Sequence, residues 1–384
     1  MEIRISYILD KLLILFIFLN VFAFDFSIFG FPIRYFFLVL LSFMTFVADK
    51  RFINKRIIIF VFSLLGAYSV LFIYSVLKGN QTEDILFFFK PLLIFLLLPS
   101  LLYLFRNYSP LRYLKSFVIS VFLLILLFSI VLAIAYFIPE LAFTLNNSQE
   151  LITVLFYPLL PRVIIKTFVF LVPAFIYVCY YCDGRRKYIL MFFCFVAAVI
   201  SQTYAIVFAV ILFVLFHLIL HKKYISVFFI LSFLIGSYLF SMGSDVFNNS
   251  KQKSVDIKRQ QVDNILKDMD VSELFLGKGI GAYMVNMDER RVSEIVIEVA
   301  PVMLFRIGGI LLSVNILLAY FFPLLIGGYL AIVKHDRLLT VLVLSQLSVL
   351  ICSLSNPYIW SGGMGLFFIT IIVAYIGYTF YNHA

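Results

Sequence analysis

Long apolar runs, separated by short stretches that carry most of the charge, fill nearly the whole of this sequence. Of its 384 residues, 64% are hydrophobic, 47 are Phe and only 13% are charged. A soluble globule needs far more polar surface than this composition supplies, which excludes that class. A run of about 20 apolar residues crosses the hydrocarbon core of a bilayer as a helix. The pattern therefore predicts an all-α polytopic membrane protein.

Applied along the chain, this rule predicts about twelve spans. They lie near residues 7–24, 28–47, 57–77, 85–105, 114–138, 163–182, 187–201, 204–220, 223–240, 307–332, 338–354 and 360–381. The stretch 188–220 is too long for one span, and we divide it at Ser201-Gln202-Thr203, where polar residues interrupt the apolar run. Ten or eleven spans are the alternatives.

The distribution of Lys and Arg predicts how these spans are oriented. Cations collect in short cytoplasmic loops, and with the N-terminus inside, clusters such as Lys50-Arg51 and Arg185-Arg186-Lys187 fall on that side. Both termini are then cytoplasmic, and the polar segment (residues 241–298) lies outside, in the periplasm or on the cell exterior. The predicted organisation is spans one to nine in 1–240, a large outer loop in 241–306, and spans ten to twelve in 307–384.

The same scatter of cations bears on partners and cofactors. The net charge of +10 does not indicate nucleic-acid binding, because the cations stand in twos and threes between apolar runs. Cysteines number four, and they lie inside apolar runs, which predicts neither a disulfide framework nor a metal site. No His cluster falls in the predicted outer segments, and we expect no metal or other cofactor.

The polar segment carries two patterns of its own. Residues 257–269 have apolar side chains at helical spacing, which predicts an amphipathic helix on the outer surface. The run from Leu276 to Gly281 has three glycines in five positions, which allows a tight turn whose backbone N–H groups approach an anion. The plainer interpretation is a turn between two loop helices. A further outer piece, 151–160, is too short to span and is predicted to be re-entrant or interfacial.

A charge series precedes the tenth span. The pattern over 288–305 is helical, with Arg291 and Glu298 on one side and Arg306 two turns further on. Pro301 cannot donate the helical hydrogen bond, so the backbone should bend beside Glu298. A partly desolvated carboxylate at this place suits a general base. An interfacial helix with ordinary surface salt bridges is the alternative.

Other cations stand where a lipid phosphate would lie. Lys90 precedes Pro91 about two turns into the fourth span, and Arg162 and Lys166 are predicted to lie one turn apart at the outer end of the sixth. Such charges are costly and suggest function, although snorkelling to headgroups also explains them. Arg forks match phosphate oxygens. The candidates for binding pyrophosphate are Arg259, Arg291, Arg306, Arg162, Lys166 and Lys90, with Arg34 and Arg290 as further cations of one pocket.

This layout resembles the O-antigen polymerase and O-antigen ligase superfamily of bacterial membrane glycosyltransferases. The shared features are many helices, one large loop in the second half, the glycines Gly277, Gly279 and Gly281 late in that loop, and Glu298 followed by Gly308-Gly309. Ligases of this family carry a His near the position of Glu298, while polymerases often carry an acidic residue, so the resemblance favours a polymerase.

The resemblance implies a membrane-embedded, GT-C-like architecture in the bacterial inner membrane and a metal-independent glycosyl transfer. The growing glycan would leave undecaprenyl pyrophosphate and join a hydroxyl of a lipid-linked repeat unit, with Glu298 as base. The implied partners are these lipid-linked donors and acceptors, membrane lipids and, as a candidate, a chain-length regulator protein. A lipid-linked oligosaccharide flippase or transporter is the main alternative, and an O-antigen ligase is a third.

Overall fold

The structure is a computed structural model that describes most of the chain. The described residues are 2–22, 27–28, 31–48, 66, 68–140, 152–155, 162–201, 203–220, 222–223, 256, 259–260, 262–265, 267–282, 300–354 and 364–381. The predicted ninth span (223–240), apart from residue 223, and the first part of the third (57–65) lie outside these residues, as do Glu298, Arg290 and Arg291.

Helices dominate the described residues, with two short antiparallel β-hairpins among them. The elements are α1 (Glu2–Phe22), β1 (Ser27–Ile28), β2 (Phe31–Pro32), α2 (Ile33–Ala48), α3 (Tyr68–Leu77), α4 (Thr82–Phe89), a 3-10 helix (Lys90–Leu96), α5 (Leu97–Asn107), α6 (Pro110–Phe137), β3 (Ile152–Leu155), β4 (Arg162–Ile165), a second 3-10 helix (Lys166–Phe170), α7 (Leu171–Tyr181), α8 (Gly184–Ile200), α9 (Tyr204–Leu220), α10 (Val271–Leu276), α11 (Ala300–Val333), α12 (Arg337–Ser353) and α13 (Met364–Tyr381). The predicted helical character is confirmed.

Membrane length is met by two of the described helices. The stretch Ile5–Phe22 of α1 and the whole of α6 are long and apolar enough to cross a bilayer, while further apolar helices are 10 to 17 residues long. The number of spans therefore stays a prediction.

Helix α6 shows how the bundle meets its surroundings. Its buried stripe includes Phe117, Val121, Leu124 and Phe128. Its exposed stripe is equally apolar and includes Ile119, Leu123, Leu126 and Ile130. A helix facing water would carry polar residues at the exposed positions. An apolar exposed face of this extent is typical of contact with lipid or with another apolar surface.

One end of the bundle is held by an ion pair and a group of tyrosines. Asp10 of α1 is fully buried and accepts hydrogen bonds from Arg112 Nη2 at 2.8 Å and from Tyr113 Oη at 3.2 Å, both in α6. Tyr375 of α13 donates to Asp336, the N-cap of α12, at 2.8 Å. The ring of Phe105, in α5, contacts both Tyr113 and Tyr375, so the helix ends that the charge pattern assigns to the cytoplasm lie together. Which side of a membrane they face stays a prediction.

The first part of the sixth predicted span is not α-helical. Arg162–Ile165 is a strand that pairs antiparallel with Ile152–Leu155, and α-helix begins only at Leu171 after a 3-10 turn. The β-branched run from Val163 to Ile165 favours extended backbone. The prediction that Arg162 and Lys166 lie one helical turn apart is therefore wrong, because one is in a strand and the other begins the 3-10 helix.

The fourth predicted span is interrupted at its cation. Helix α4 ends at Phe89, and the backbone continues as a 3-10 helix from Lys90 to Leu96 before α5 begins. Pro91 lacks the N–H group that an α-helix would use, which favours the change of helix type there. Lys90 thus opens a 3-10 segment, and its predicted place inside one continuous α-helix is wrong.

The division of the stretch 188–220 is confirmed. Helix α8 ends at Ile200 and α9 begins at Tyr204. Ser201 Oγ donates to the carbonyl of Ala198 at 2.7 Å and accepts from the N–H of Thr203 at 3.3 Å. These short-range bonds compete with helix continuation, as Ser and Thr commonly do.

The ion pair at the tyrosine end gives a first test. Arg112→Met removes the cation from a fully buried carboxylate, whereas Asp10→Asn removes the carboxylate from a cation whose side chain is 40% exposed. We expect Arg112→Met to cost about 3 kcal/mol, since a buried charge loses its partner, and Asp10→Asn to cost clearly less. Thermal unfolding of the purified protein in detergent measures both. Equal losses would contradict the burial of Asp10.

Candidate functional site: the glycine junction

The run of glycines packs against two distant parts of the chain. Residues 275–282 contact the end of α3 with its following turn (74–80) and the first turns of α11 (306–309). We call this contact the glycine junction. Gly277, Gly279 and Gly281 have φ angles of 77°, 83° and 78°, and Gly309 of α11 has φ of 56°. These are left-handed backbone conformations that favour glycine.

Space as well as backbone angle requires glycine here. A Cβ on Gly277 would fall on the carbonyl of Ile307, and one on Gly309 would fall on the carbonyl of Phe275. A Cβ on Gly279 would lie 2.8 Å from Asn80 Nδ2. Two backbones therefore touch directly at the glycine junction, which a side chain on either would prevent.

Helix α11 is broken at this contact. Gly309, with φ of 56° and ψ of −160°, interrupts the helix. The carbonyls of Arg306 and Ile307, which an unbroken helix would bond to the following turn, instead accept from the N–H groups of Lys278 at 2.8 Å and Gly279 at 3.0 Å. The polar segment thus supplies hydrogen bonds that α11 gives up at its break.

The anion-binding interpretation of the glycine run can be checked donor by donor. The N–H of Gly277 donates to the carbonyl of Glu273, and those of Lys278 and Gly279 donate to α11. The N–H of Ile280 donates to Ser75 Oγ at 2.7 Å. Since these four successive donors are all used inside the protein, they do not form an anion site, and the turn interpretation is supported.

Besides Ser75, helix α3 and the turn that follows it contribute two side chains that sequence analysis missed. Tyr74 Oη donates to the carbonyl of Gly277 at 2.8 Å. Asn80 Nδ2 donates to the carbonyls of Lys278 at 3.1 Å and Ile280 at 2.8 Å. The only signal in the sequence is a small polar group of residues at the end of an apolar run. Nothing in that pattern identifies a partner about two hundred residues away.

Arg306 lies at the buried centre of the glycine junction. It is 3% exposed, and its Nη1 donates to the carbonyl of Ala282 at 2.6 Å. Ala282 ends the described part of the polar segment, and Ala300 begins α11, so one guanidinium holds together the two chain ends that flank 283–299. Glu298 lies outside the described residues but is only two residues before Ala300 in the chain.

A network of charges borders the glycine junction. Lys278 Nζ lies 2.7 Å from Asp268 Oδ2 and 3.6 Å from Glu273 Oε2, and Lys78 Nζ lies 3.9 Å from Glu273 Oε1. Partly exposed pairs of this kind each stabilise little. Their acidic members fix Lys278 in place, so this lysine is a structural cation of the turn.

Helix α10, which leads into the glycine junction, begins at an N-terminal cap. Asp270 Oδ1 accepts from the N–H of Glu273 at 2.8 Å, and Glu273 accepts in return from the N–H of Asp270 at 3.1 Å, which forms a capping box. Ser272 Oγ also donates to Asp270 at 2.7 Å. These hydrogen bonds, that from Ser272 above all, lower the pKa of the Asp270 carboxyl below its ordinary value.

The amphipathic helix predicted for 257–269 is confirmed where it is described. Residues 259–260, 262–265 and 267–268 are helical. Ile265 and Met269 are buried, while Asp263 and Lys267 are exposed. Arg259, a pyrophosphate candidate, lies in this helix with its side chain exposed.

The remaining candidates are placed less fully. Arg34 is buried in the first turn of α2, with its guanidinium 5.3 Å from the centre of the Tyr35 ring. The backbones of Lys90, Arg162 and Lys166 are described, but their side chains lie outside the description, and so do Arg290, Arg291 and Glu298 entirely. Pyrophosphate binding by these cations and the role of Glu298 as base stay predictions.

Comparison with known proteins adds no family. No protein-family model matches the chain, and no curated protein matches it.

The close backbone contact predicts that Gly309 cannot be replaced. The Cβ of Gly309→Ala would overlap the backbone of Phe275, and the backbone conformation at this position is essentially restricted to glycine. We therefore expect the free energy of unfolding to fall by at least about 2 kcal/mol. The matched control is Gly328→Ala in the same helix, where a Cβ would meet nothing closer than 4.0 Å. It should be neutral or slightly stabilising. Thermal unfolding in detergent compares them, and equal behaviour would contradict the contact.

The cap of α10 predicts a dependence on pH. Because the folded state lowers the pKa of Asp270, its contribution to stability is present above the ordinary Asp value and is lost as pH falls through the folded pKa. Hydrogen exchange of the α10 amides, corrected for intrinsic rates, should show less protection at acidic pH. Asp270→Asn keeps a capping oxygen that does not titrate. If this variant showed the same acid-induced loss, the cap would not be its cause.

Proposed function

We propose that the protein polymerises a bacterial surface polysaccharide, of O-antigen or capsule type, on the outer face of the inner membrane. In this proposal both termini are cytoplasmic, the polar segment is periplasmic, and the fold is a GT-C-like bundle of about twelve spans. The observation that carries the proposal is the position of Arg306. The buried guanidinium of Arg306 bonds to Ala282 at the base of the polar segment, and Arg306 lies five residues after Pro301 and eight after Glu298 in the chain.

The proposed glycosyl transfer requires mainly that the site balances the charge of the pyrophosphate and positions the donor and the acceptor. An acceptor hydroxyl oxygen bonds to the anomeric carbon of the donor glycan, the bond from that carbon to the pyrophosphate oxygen breaks, and the hydroxyl proton passes to a base. Pyrophosphate leaves readily once cations match its charge. Holding donor and acceptor side by side supplies much of the remaining acceleration.

We assign each role in this reaction to particular residues. Glu298 acts as the base or orients the acceptor hydroxyl. Arg259, Arg291 and Arg306 are the first choices for the pyrophosphate, with Arg162, Lys166 and Lys90 behind them. Arg306 already donates one hydrogen bond to Ala282, and a guanidinium has five N–H donors. We propose that the positive charge held at this place also balances the charge of a phosphate group.

The proposal is tested by the surface glycan of a strain that lacks the gene. On a gel that resolves repeat units, wild-type protein should restore a ladder of long chains. Glu298→Gln at matched expression should leave single repeat units on the lipid acceptor, because the transfer step lacks its base. The matched control is Glu83→Gln, which removes the same charge from an exposed position at the start of α4 and should restore the full ladder.

Other outcomes of this experiment identify other functions. Accumulation of lipid-linked units on the cytoplasmic face in the deletion strain would indicate a flippase. Free polymer that is not joined to its final lipid would indicate a ligase. A normal ladder with Glu298→Gln would show that Glu298 is not the base, and a normal ladder in the deletion strain would contradict a role in this glycan.

A further inference from the structure

Helix α10 exposes apolar side chains although it belongs to the polar segment. Val271 is 72% exposed and Phe275 is 52% exposed, and Leu276 beside them is also exposed. Asp270, at the N-cap, and Glu273 engage in the capping box. A short helix in water would place polar groups at these exposed positions, so this face requires a covering.

Contacts with α3 determine the depth at which α10 would lie relative to a bilayer. Tyr74 Oη bonds to Gly277, directly after α10, and Lys78 Nζ lies 3.9 Å from Glu273 of α10. The exposed apolar residues of α3 run up to Leu77 and stop there. Tyr and Lys at the end of an apolar helix are typical of the boundary between acyl chains and headgroups. Helix α10 therefore lies at that boundary if α3 is in a bilayer.

Contacts with α11 make the exposed apolar surface continuous. The backbone of Phe275 lies directly against that of Gly309, and the next two residues of α11, Ile310 and Leu311, are both exposed. The apolar face of α10 therefore adjoins exposed apolar side chains of α11 on one side and the end of α3 on the other. All three would meet the same apolar medium.

We propose that α10 is an interfacial membrane anchor, whose Val271, Phe275 and Leu276 insert between the headgroups and the upper acyl chains of the lipids. Interfacial helices bind in this way when apolar side chains lie on one face and polar groups flank them. The inference rests on the membrane location in the proposed function, not on the glycan chemistry. Its consequence is that the glycine junction is held at the depth of lipid phosphates, where a lipid-linked pyrophosphate would arrive.

The depth of single tryptophans tests this inference. The chain has one Trp, and Trp360→Phe gives a background without it. Phe275→Trp and, separately, Val271→Trp are reconstituted into vesicles of phosphatidylcholine, either plain or brominated near the headgroup end of the acyl chains. We expect brominated lipid to remove most of the emission of both variants, and aqueous iodide to remove little. Two positions are used so that one poorly folded variant does not decide the result.

Two comparison positions separate the possible failures. Ile310→Trp, on the exposed face of α11, should be quenched by brominated lipid if the bundle lies in the bilayer. Asp263→Trp, at an exposed polar position, should be quenched by iodide. If Ile310→Trp meets lipid while both α10 variants behave like Asp263→Trp, the anchor is wrong and the membrane location stands. If Ile310→Trp also fails to meet lipid, the membrane location itself is wrong. Protection of the α10 variants from both quenchers would show that protein covers this face, which also overturns the anchor.

Discussion

The direct contact between two backbones at Gly277 and Gly309 is the constraint on which the candidate site depends. Since neither residue has a side chain, the turn after α10 reaches the broken part of α11 and supplies the hydrogen bonds that the break removes. The turn donates hydrogen bonds to the α11 carbonyls at the break, and these same hydrogen bonds hold the turn in place. Tyr74, Ser75 and Asn80 of the α3 end complete this mutual support.

Different kinds of contact hold the two ends of the bundle together. At the tyrosine end, side chains carry the contacts, through the buried Asp10 with Arg112 and through Tyr375 with Asp336. At the glycine junction, most contacts involve the backbone, and the buried cation Arg306 itself binds a backbone carbonyl. Backbone contacts need small residues, and here they hold the described part of the polar segment against α11, close in the chain to Glu298. The glycine junction is therefore the better candidate for a site.

Local patterns in the sequence predicted local features well. The helical character, the break at residues 201–203 and the amphipathic stretch 257–269 all depend on neighbouring residues, and the structure confirms them where it describes them. The β-hairpin with Arg162–Ile165 and the partners of the glycine run depend on residues distant in the chain, which periodicity cannot identify. The glycine run predicts a turn, but nothing in the sequence indicates that Gly309 is required for the same contact. The proposed base, Glu298, lies outside the described residues and rests on the sequence alone.

Cross-linking across the glycine junction tests its existence most directly. Asn80 and Lys278 are joined by a hydrogen bond of 3.1 Å, so a short bifunctional maleimide should link Asn80→Cys to Lys278→Cys in a chain whose native cysteines are replaced. A protease site placed in the link between α7 and α8, at the exposed Asp183, then divides the chain. We predict that the two fragments stay joined for this pair and separate when Asn80→Cys is combined with Lys334→Cys at the far end of α11. Separation of the fragments in the first pair, in protein that is folded and labelled at both cysteines, would contradict the glycine junction.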